Sequence, residues 1–228
     1  MKHFKLVENG IDVSPFLNEI TVHSEQWLVD TSRQKNVPKQ RETQTITLRS
    51  HADQAVLDSK TRAAMPVRYR GHPSPMASYF PHASEYVDHL VESMDGAMGR
   101  AVIVKLRPHG TIYPHTDDGL YWLLRDRYHL VLKSVTGSRF KAGGEETRMQ
   151  EGELWWFDPT VPHEAFNDSD EGRIHIIVDI MSPHSIKSSF RKRLLRAPVK
   201  SLRAIVMAMV RRLAWPIQQQ FSHRLAKT

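Results

Sequence analysis

The chain contains no cysteine, which excludes disulfide bonds, thiolate metal sites and cysteine nucleophiles. It also lacks any apolar run close to the about 20 residues that a membrane-spanning helix needs. The first residues, MKHFK, do not begin the long apolar segment of a signal peptide. We therefore expect a protein that is neither secreted by that route nor membrane-spanning. The absence of thiols fits a reducing compartment, and we expect a cytoplasmic location.

Acidic residues are missing from the C-terminal part of the chain. From Ser182 onward there are 11 of the 32 Lys and Arg residues and none of the 25 Asp and Glu residues. The rest of the chain therefore carries 21 basic against 25 acidic side chains, and the formal net charge of +7 is a property of the tail. Only the tail predicts an anionic partner.

The 228 residues suffice for one domain with a buried core and an appendage. Short runs rich in β-branched residues, separated by Gly and Pro turns, predict strands. These runs lie at residues 43–49, 101–107, 127–133, 139–141, 147–149, 153–158 and 173–180. An amphipathic helix is predicted at 83–94. Because no helices separate the later strands, the pattern indicates an antiparallel sandwich or barrel.

Three residues form a candidate metal site. His115 and Asp117 are separated by one residue, so both side chains can point to one side of a strand end. With the distant His163 they make two histidines and one carboxylate, a set that holds Fe(II) and leaves coordination positions open. The pair alone is a weak signal among 13 His and 25 acidic residues. By itself His115 could be a loop residue, and His163 could end a turn.

Several segments in a fixed order make the pattern more specific. They read RYHL at 127–130, GELWWFD at 152–158, PH at 162–163 and RIHIIVD at 173–179. Together they resemble the aspartyl/asparaginyl/prolyl β-hydroxylase family over about residues 100–180. The resemblance implies a mainly β fold, the double-stranded β-helix (jelly roll, cupin-type), with flanking helices and here a C-terminal helical extension. It also implies a dioxygenase that depends on Fe(II) and 2-oxoglutarate.

The resemblance assigns roles to single residues. It places iron on His115, Asp117 and His163, with O2 as co-reactant. It places Arg173 at the distal carboxylate of 2-oxoglutarate, which agrees with the bidentate fit of a guanidinium to a carboxylate. His129 matches a residue of the family that contacts the cosubstrate.

Arg127 is the next candidate for binding the cosubstrate, because the two-residue period of a strand puts it on the same face as His129. Some family members also use a hydroxyl residue on the strand before the His-x-Asp motif. That strand reads VIVKL at 102–106 and has none. The hydroxyl contact is therefore absent or supplied from elsewhere.

The substrate is much less defined. Arg125 and Arg49 hint at a carboxylate-bearing substrate, although both could serve the cosubstrate or the surface. Trp156 is a candidate for stacking on the substrate, although packing in the barrel explains it equally well. Amino acids, peptides, small molecules and lipids are all open as substrates.

We expect a dioxygenase domain at residues 1–182, with an N-terminal cover at 1–100 and the motif-bearing core at 101–182. A basic helical tail follows at 183–228. The tail could dock on the barrel, lie at a homodimer interface, or place residues 198–228 on an anionic membrane. No nucleic-acid-binding motif is present, and we expect no nucleic-acid partner.

The sequence thus predicts a 2-oxoglutarate-dependent hydroxylase that acts on an amino acid, a peptide or a related small molecule. Two alternatives stay open. One is a lipid hydroxylase of the same chemistry at the membrane periphery. The other is a cupin-like module that binds a metal or ligand without catalysis; such a module would not need an arginine ten residues after the second histidine.

Overall fold

The computed structural model describes residues 1–50 and 71–186. These residues belong to one compact unit, Met1–Ile186. The helix predicted in the tail, and the partners proposed for that helix, lie outside the described residues and stay predictions.

A seven-stranded sheet forms the larger layer, and all its strand pairs are antiparallel. In spatial order its strands are β1 (Phe4–Glu8), β9 (Leu154–Phe157), β6 (Asp126–Lys133), β11 (Arg173–Met181), β4 (Ala97–Leu106), β2 (Thr43–Ser50) and β3 (His72–Pro73). Neighbours in the sheet are distant in sequence, as in a jelly roll.

A four-stranded antiparallel sheet forms the second layer. Its order is β5 (Thr111–His115), β10 (His163–Asn167), β7 (Ser138–Ala142) and β8 (Glu145–Thr147). The two sheets confirm the predicted mainly β, cupin-type jelly roll with flanking helices. The strands β1 and β2 come from the first 100 residues and pair within the larger sheet.

The helices are short. They are α1 (Ser14–Val22), α2 (Ser32–Asn36), α3 (Pro81–Ser93) and α4 (Leu120–Leu123), with 3₁₀ segments at Ser24–Leu28, Pro38–Gln40 and Pro75–Tyr79. The helix predicted at 83–94 is confirmed as α3. It begins two residues earlier because the fixed φ of Pro81 suits a first helical turn. No helix in the described part of the chain is long and apolar enough to cross a membrane.

The two faces of the seven-stranded sheet differ in chemistry. On the outer face, residues such as Ile46, Leu130 and Ile176 form one apolar core with Phe16 of α1 and Val87 of α3. The inner face contributes Val131, Trp155 and Phe157 to a smaller core, which also contains residues of the second sheet.

Strand β11 shows how the alternation of side chains separates the two faces. Ile174, Ile176, Val178 and Ile180 belong to the outer core. The residues that alternate with them include Arg173, His175 and Asp179, which are also buried. Buried polar side chains are therefore concentrated on the inner face.

Candidate metal centre

Two facing strand ends bring the predicted metal ligands together. His115 ends β5, His163 begins β10, and the two residues are paired in the second sheet. Asp117 lies two residues beyond β5, where its backbone N–H donates to the carbonyl oxygen of Pro159 at 3.0 Å. One ligand atom from each side chain lies within 4.8 Å of the other two. These distances suit one metal ion bound by all three residues.

The tautomers of both histidines also suit a metal. Nδ1 of His115 lies 2.7 Å from the carbonyl oxygen of Tyr113, and Nδ1 of His163 lies 2.9 Å from that of Val161. A carbonyl can only accept, so each Nδ1 carries the proton and each Nε2 presents a lone pair. Burial lowers the pKa of His163 to about 4, which keeps this ring neutral at physiological pH.

The third ligand, Asp117, is held by Arg127. Burial is the largest single influence and would raise the pKa of Asp117, but the charges of Arg127 and of further basic side chains, Arg100 among them, together outweigh it, and the pKa lies below its usual value. Arg127 donates from Nη1 to Asp117 and from Nε to Asp179, the latter at 2.8 Å. Its guanidinium also lies 4.4 Å from the centre of the Trp122 ring. Two carboxylates therefore already engage this buried arginine.

Arg173 has a different environment. It is 6% exposed, and none of the carboxylates in the described residues forms an ion pair with it. Its Nε donates to Nε2 of His175 at 2.9 Å, and its Cζ lies 5.5 Å from the centre of the Phe140 ring. Burial lowers the pKa of Arg173 to about 10, so the guanidinium is still charged at neutral pH. A buried cation without a counter-ion favours an anionic ligand.

His129 lies next to this cation. Its Nδ1 is 3.3 Å from Nδ1 of His175, and its Nε2 is buried without a hydrogen-bond partner in the described residues. Burial and then the charge of Arg173 lower the pKa of both histidines well below the usual value. Both rings are therefore neutral.

The direction of the hydrogen bonds along these residues follows from the donor at one end. Nε of Arg173 donates to Nε2 of His175 at 2.9 Å, and Nη2 of Arg173 also lies 3.2 Å from Nδ1 of the same ring. A neutral ring can accept at only one of its two nitrogens, and the shorter contact assigns the acceptor to Nε2 and the proton to Nδ1. That proton points to Nδ1 of His129, which leaves the proton of His129 on Nε2. The unpartnered atom is then an N–H donor, the kind of group that binds an anion.

Phe140 and Phe157 connect the ligand triad with this basic group. The Phe140 ring stacks on His163 at 6.3 Å between centroids and meets His129 edge-on at 5.5 Å. The Phe157 ring lies 5.2 Å from His163 and 5.0 Å from His129. The same two aromatic rings therefore lie against both the triad and the basic group.

The structure does not bring all three predicted substrate residues to the triad. A bulge between Thr47 and Arg49 turns Arg49 to α3, where it pairs with Asp88. Trp156 packs against the outer core and donates from Nε1 to Asp126 at 2.8 Å. Arg125 is buried, with its guanidinium 4.0 Å from the centre of the Tyr121 ring.

Three further residues lie at or near the site. Sequence reasoning did not identify Gln40 or Thr45, and it left His175 open between a residue of the site and a core histidine. Nε2 of Gln40 lies 3.0 Å from Nε2 of His115, so this amide contacts the ring nitrogen that would bind a metal. His175 links Arg173 to His129, and its place two residues after Arg173 on one strand was the signal available in the sequence. Thr45 lies on the inner face of β2 with a buried, unpartnered hydroxyl.

The chain is similar to known proteins in sequence. A family model described as aspartyl/asparaginyl beta-hydroxylase matches residues 31–183. One curated relative is L-proline cis-4-hydroxylase from Rhizobium meliloti (strain 1021), which is 28% identical over 109 residues. The match covers 46% of this chain and only 37% of that relative's length.

Solved structures of cupin domains are also similar to part of the chain. A cupin domain from Bordetella pertussis Tohama I covers 36% of this chain and 79% of its own, at 14% identity and a TM-score of 0.29. The Cupin_2 domain of an XRE family transcriptional regulator from Enterobacter cloacae covers 40% and 86%, at 17% identity and a TM-score of 0.30. Both the sequence identity and the TM-score are low in these two comparisons.

Proposed function

Because the chain belongs to the aspartyl/asparaginyl β-hydroxylase family, we propose that it is an Fe(II)- and 2-oxoglutarate-dependent dioxygenase. It would hydroxylate an unactivated C–H bond of an amino acid, a peptide or a related small molecule. One observation carries this proposal: a possible metal triad and a buried arginine without a carboxylate partner are connected by one aromatic layer.

The triad residues fit Fe(II). Two imidazole Nε2 atoms and one carboxylate oxygen are the donor set of non-haem Fe(II) oxygenases, and three protein ligands leave positions for a bidentate 2-oxo acid and O2. When bound, Fe(II) supplies the O2 chemistry that oxidises 2-oxoglutarate to succinate and CO2 and hydroxylates the substrate. The carbonyl oxygens of Tyr113 and Val161 orient the two rings for this task.

Arg173 is the residue that would hold the distal carboxylate of 2-oxoglutarate. A guanidinium on a buried strand can form two parallel charge-assisted hydrogen bonds with a carboxylate. The Nε2–H of His129 would donate a further hydrogen bond to the same ligand. This group is already neutral and oriented by His175, so binding would need no proton transfer.

We propose a different role for Arg127 than direct contact with the cosubstrate. Its guanidinium bonds Asp117 on one side and Asp179 on the other. It therefore orients the carboxylate ligand and keeps it ionised, which a metal ligand requires. This assignment leaves Arg173 as the cation for the cosubstrate.

Turnover of 2-oxoglutarate tests the proposal. The full-length chain is incubated with Fe(II), ascorbate, O2 and 2-oxoglutarate, with and without free amino acids, L-proline among them, and succinate is measured. We expect succinate that depends on Fe(II) and rises with a true substrate. A matched His109→Ala variant should behave like the wild type, because His109 is an exposed residue paired with Asp170. A chain that forms no succinate with any of these substrates would contradict the proposal.

A further inference from the structure

A buried hydroxyl on the inner face of β2 has no partner. Thr45 is 5% exposed, and its Oγ1 makes no hydrogen bond within the described residues. The neighbouring Thr43 differs, because its Oγ1 donates to the carbonyl oxygen of Gln40 at 2.7 Å. Burying a hydroxyl without a hydrogen-bond partner costs free energy. A partner from outside the protein chain, such as a bound ligand, would remove this cost.

The strand register places Thr45 in the same row as the basic group. Thr45 is paired with Val104 of β4, and Val104 is paired with His175 of β11. Paired residues of an antiparallel sheet point to the same face, and Ile46 lies in the outer core, so Thr45 faces inward. Neighbouring strands are about 4.8 Å apart, so Thr45 and His175 are about two strand spacings apart.

The Arg173 guanidinium lies in the same row. Its Nε is 2.9 Å from Nε2 of His175, so the Arg173 side chain extends along β11 towards the C-terminal end, to the level of His175. Only Val104 stands between it and Thr45 along the row, and this side chain has no polar atom. An ion placed over Val104 would therefore meet a cation on one side and a hydroxyl on the other. On the other side of His175, Val131 of β6 is its strand partner, and His129 lies two residues before Val131 on the same face. The Nε2 of His129, which has no partner in the described residues, is a third polar group near the ion.

We propose that Thr45 donates its hydroxyl to the carboxylate that Arg173 neutralises, so that β2 completes the subsite for the distal end of a 2-oxo dicarboxylate. This inference rests on the proposed function, since it needs 2-oxoglutarate as the ligand. It makes Thr45 a determinant of specificity: the hydroxyl gains a partner only when the 2-oxo acid carries a second carboxylate. A 2-oxo acid with an apolar end would leave Thr45 and Arg173 unpaired.

Isothermal titration tests the assignment. The full-length chain is loaded with Mn(II), a redox-silent substitute for Fe(II), and titrated with 2-oxoglutarate or with 2-oxopentanoate. The second compound keeps the five-carbon chain but ends in a methyl group. Thr45→Val, which keeps the shape and removes the hydroxyl, should weaken the affinity for 2-oxoglutarate about tenfold or more, since a hydrogen bond to a charged group is lost. The affinity for 2-oxopentanoate should be unchanged.

Three controls separate this role from packing. Thr45→Ser keeps the hydroxyl and should bind 2-oxoglutarate nearly as the wild type does. Thr47→Val makes the same change on the same strand beside Val102 instead of Val104, and should not alter binding. The double variant Thr45→Val/Val104→Thr moves the hydroxyl one strand along the row and should recover part of the affinity. The ligand-free Thr45→Val variant should melt no lower than the wild type, because it loses no internal hydrogen bond.

The outcomes distinguish the two proposals. Wild-type protein that does not bind 2-oxoglutarate would overturn the proposed function, and this inference with it. Wild-type protein that binds, together with a Thr45→Val variant that binds equally well, would overturn the role of Thr45 alone. An equal loss for 2-oxopentanoate would also overturn it, because the effect would then come from packing.

Discussion

The two faces of the seven-stranded sheet are built from alternate residues of the same strands, yet one buries apolar side chains and the other buries polar ones. The outer face is apolar and closed by α1 and α3, with Ile46, Ile103 and Ile176 fully buried. Within the described residues, the inner face buries Arg173 without a carboxylate, and His129 Nε2 and Thr45 Oγ1 without a hydrogen-bond partner. The outer face therefore stabilises the fold. The inner face destabilises it, because it buries polar groups whose partners a bound ligand would supply.

The inner face itself contains two buried arginines that sharpen this contrast. Arg127 is bonded to Asp117 and Asp179, whereas the polar partners of Arg173 in the described residues are the ring nitrogens of His175. The first belongs to a structural ion-pair network that includes Asp117 of the candidate metal triad. The second is a buried cation that has no carboxylate partner within the described residues.

Removing one metal ligand should have the largest effect on function. Asp117→Ala or His163→Ala deletes a donor of the triad, and we expect succinate formation to fall below detection, at least about a thousandfold. Metal content of the purified protein should fall in parallel. Treatment of the wild type with a chelator should do the same, with activity restored by Fe(II). Activity that persists in either variant would break the link between the inner face and the metal.

Exchanging each buried arginine for methionine should separate their roles. Arg127→Met removes the cation that bonds both Asp117 and Asp179, and of their ion pairs in the described residues only the longer contact of Arg100 with Asp179, at 3.7 Å, then remains. We therefore expect a loss of about 3–5 kcal/mol in the free energy of unfolding. Arg173→Met removes a charge that has no carboxylate partner, and the ligand-free protein should keep its stability within about 1 kcal/mol. Denaturation in urea measures both. Equal losses in the two variants would contradict the contrast.

An outer-face cavity should reduce stability and leave binding unchanged. Ile176→Ala removes a fully buried side chain from the apolar core, and we expect a loss of about 2–5 kcal/mol. The affinity for 2-oxoglutarate at low temperature should match the wild type, because no inner-face group is altered. A variant that stays folded but binds 2-oxoglutarate much more weakly would show that the two faces are not independent.

The pH dependence of stability should report the buried histidines of the inner face. Burial lowers the pKa of His163 to about 4, and of His129 and His175 well below the ordinary value of 6.5. The unfolded chain therefore binds more protons than the folded chain between about pH 6.5 and 4. Stability of the metal-free protein should be complete above pH 6.5 and decrease as the pH falls through this window. His175→Gln should flatten the decrease, as measured by melting temperature against pH.

Strands with a clear alternation and one apolar face could be predicted from sequence. The predicted runs at 43–49, 127–133 and 173–180 all became strands, with ends shifted by a residue or two. The strand β5 was not predicted, because Pro114 and the adjacent turn hide a segment that pairs only through β10. The strand β1 was missed because its partner, β9, lies about 150 residues away.

The site followed the same rule. Local spacing predicted that His115 and Asp117 belong together, and the structure brings His163 to them. The pairing of Arg127 with Asp117 and the place of Thr45 beside Val104 depend on strand register and loop position, which no local pattern encodes. Arg49, a candidate for binding a carboxylate-bearing substrate, illustrates the same limit. A single bulge between Thr47 and Arg49 places it on the outer face, where it pairs with Asp88.

Bound metal and bound 2-oxoglutarate, quantified in one anaerobic sample of the full-length chain, test the central claim most directly. The account predicts one Fe(II) and one 2-oxoglutarate per chain for the wild type. For Arg173→Met it predicts one Fe(II) and little 2-oxoglutarate, and for Asp117→Ala little of either. A wild-type chain that binds no Fe(II), or that binds 2-oxoglutarate as tightly without Arg173, would contradict it.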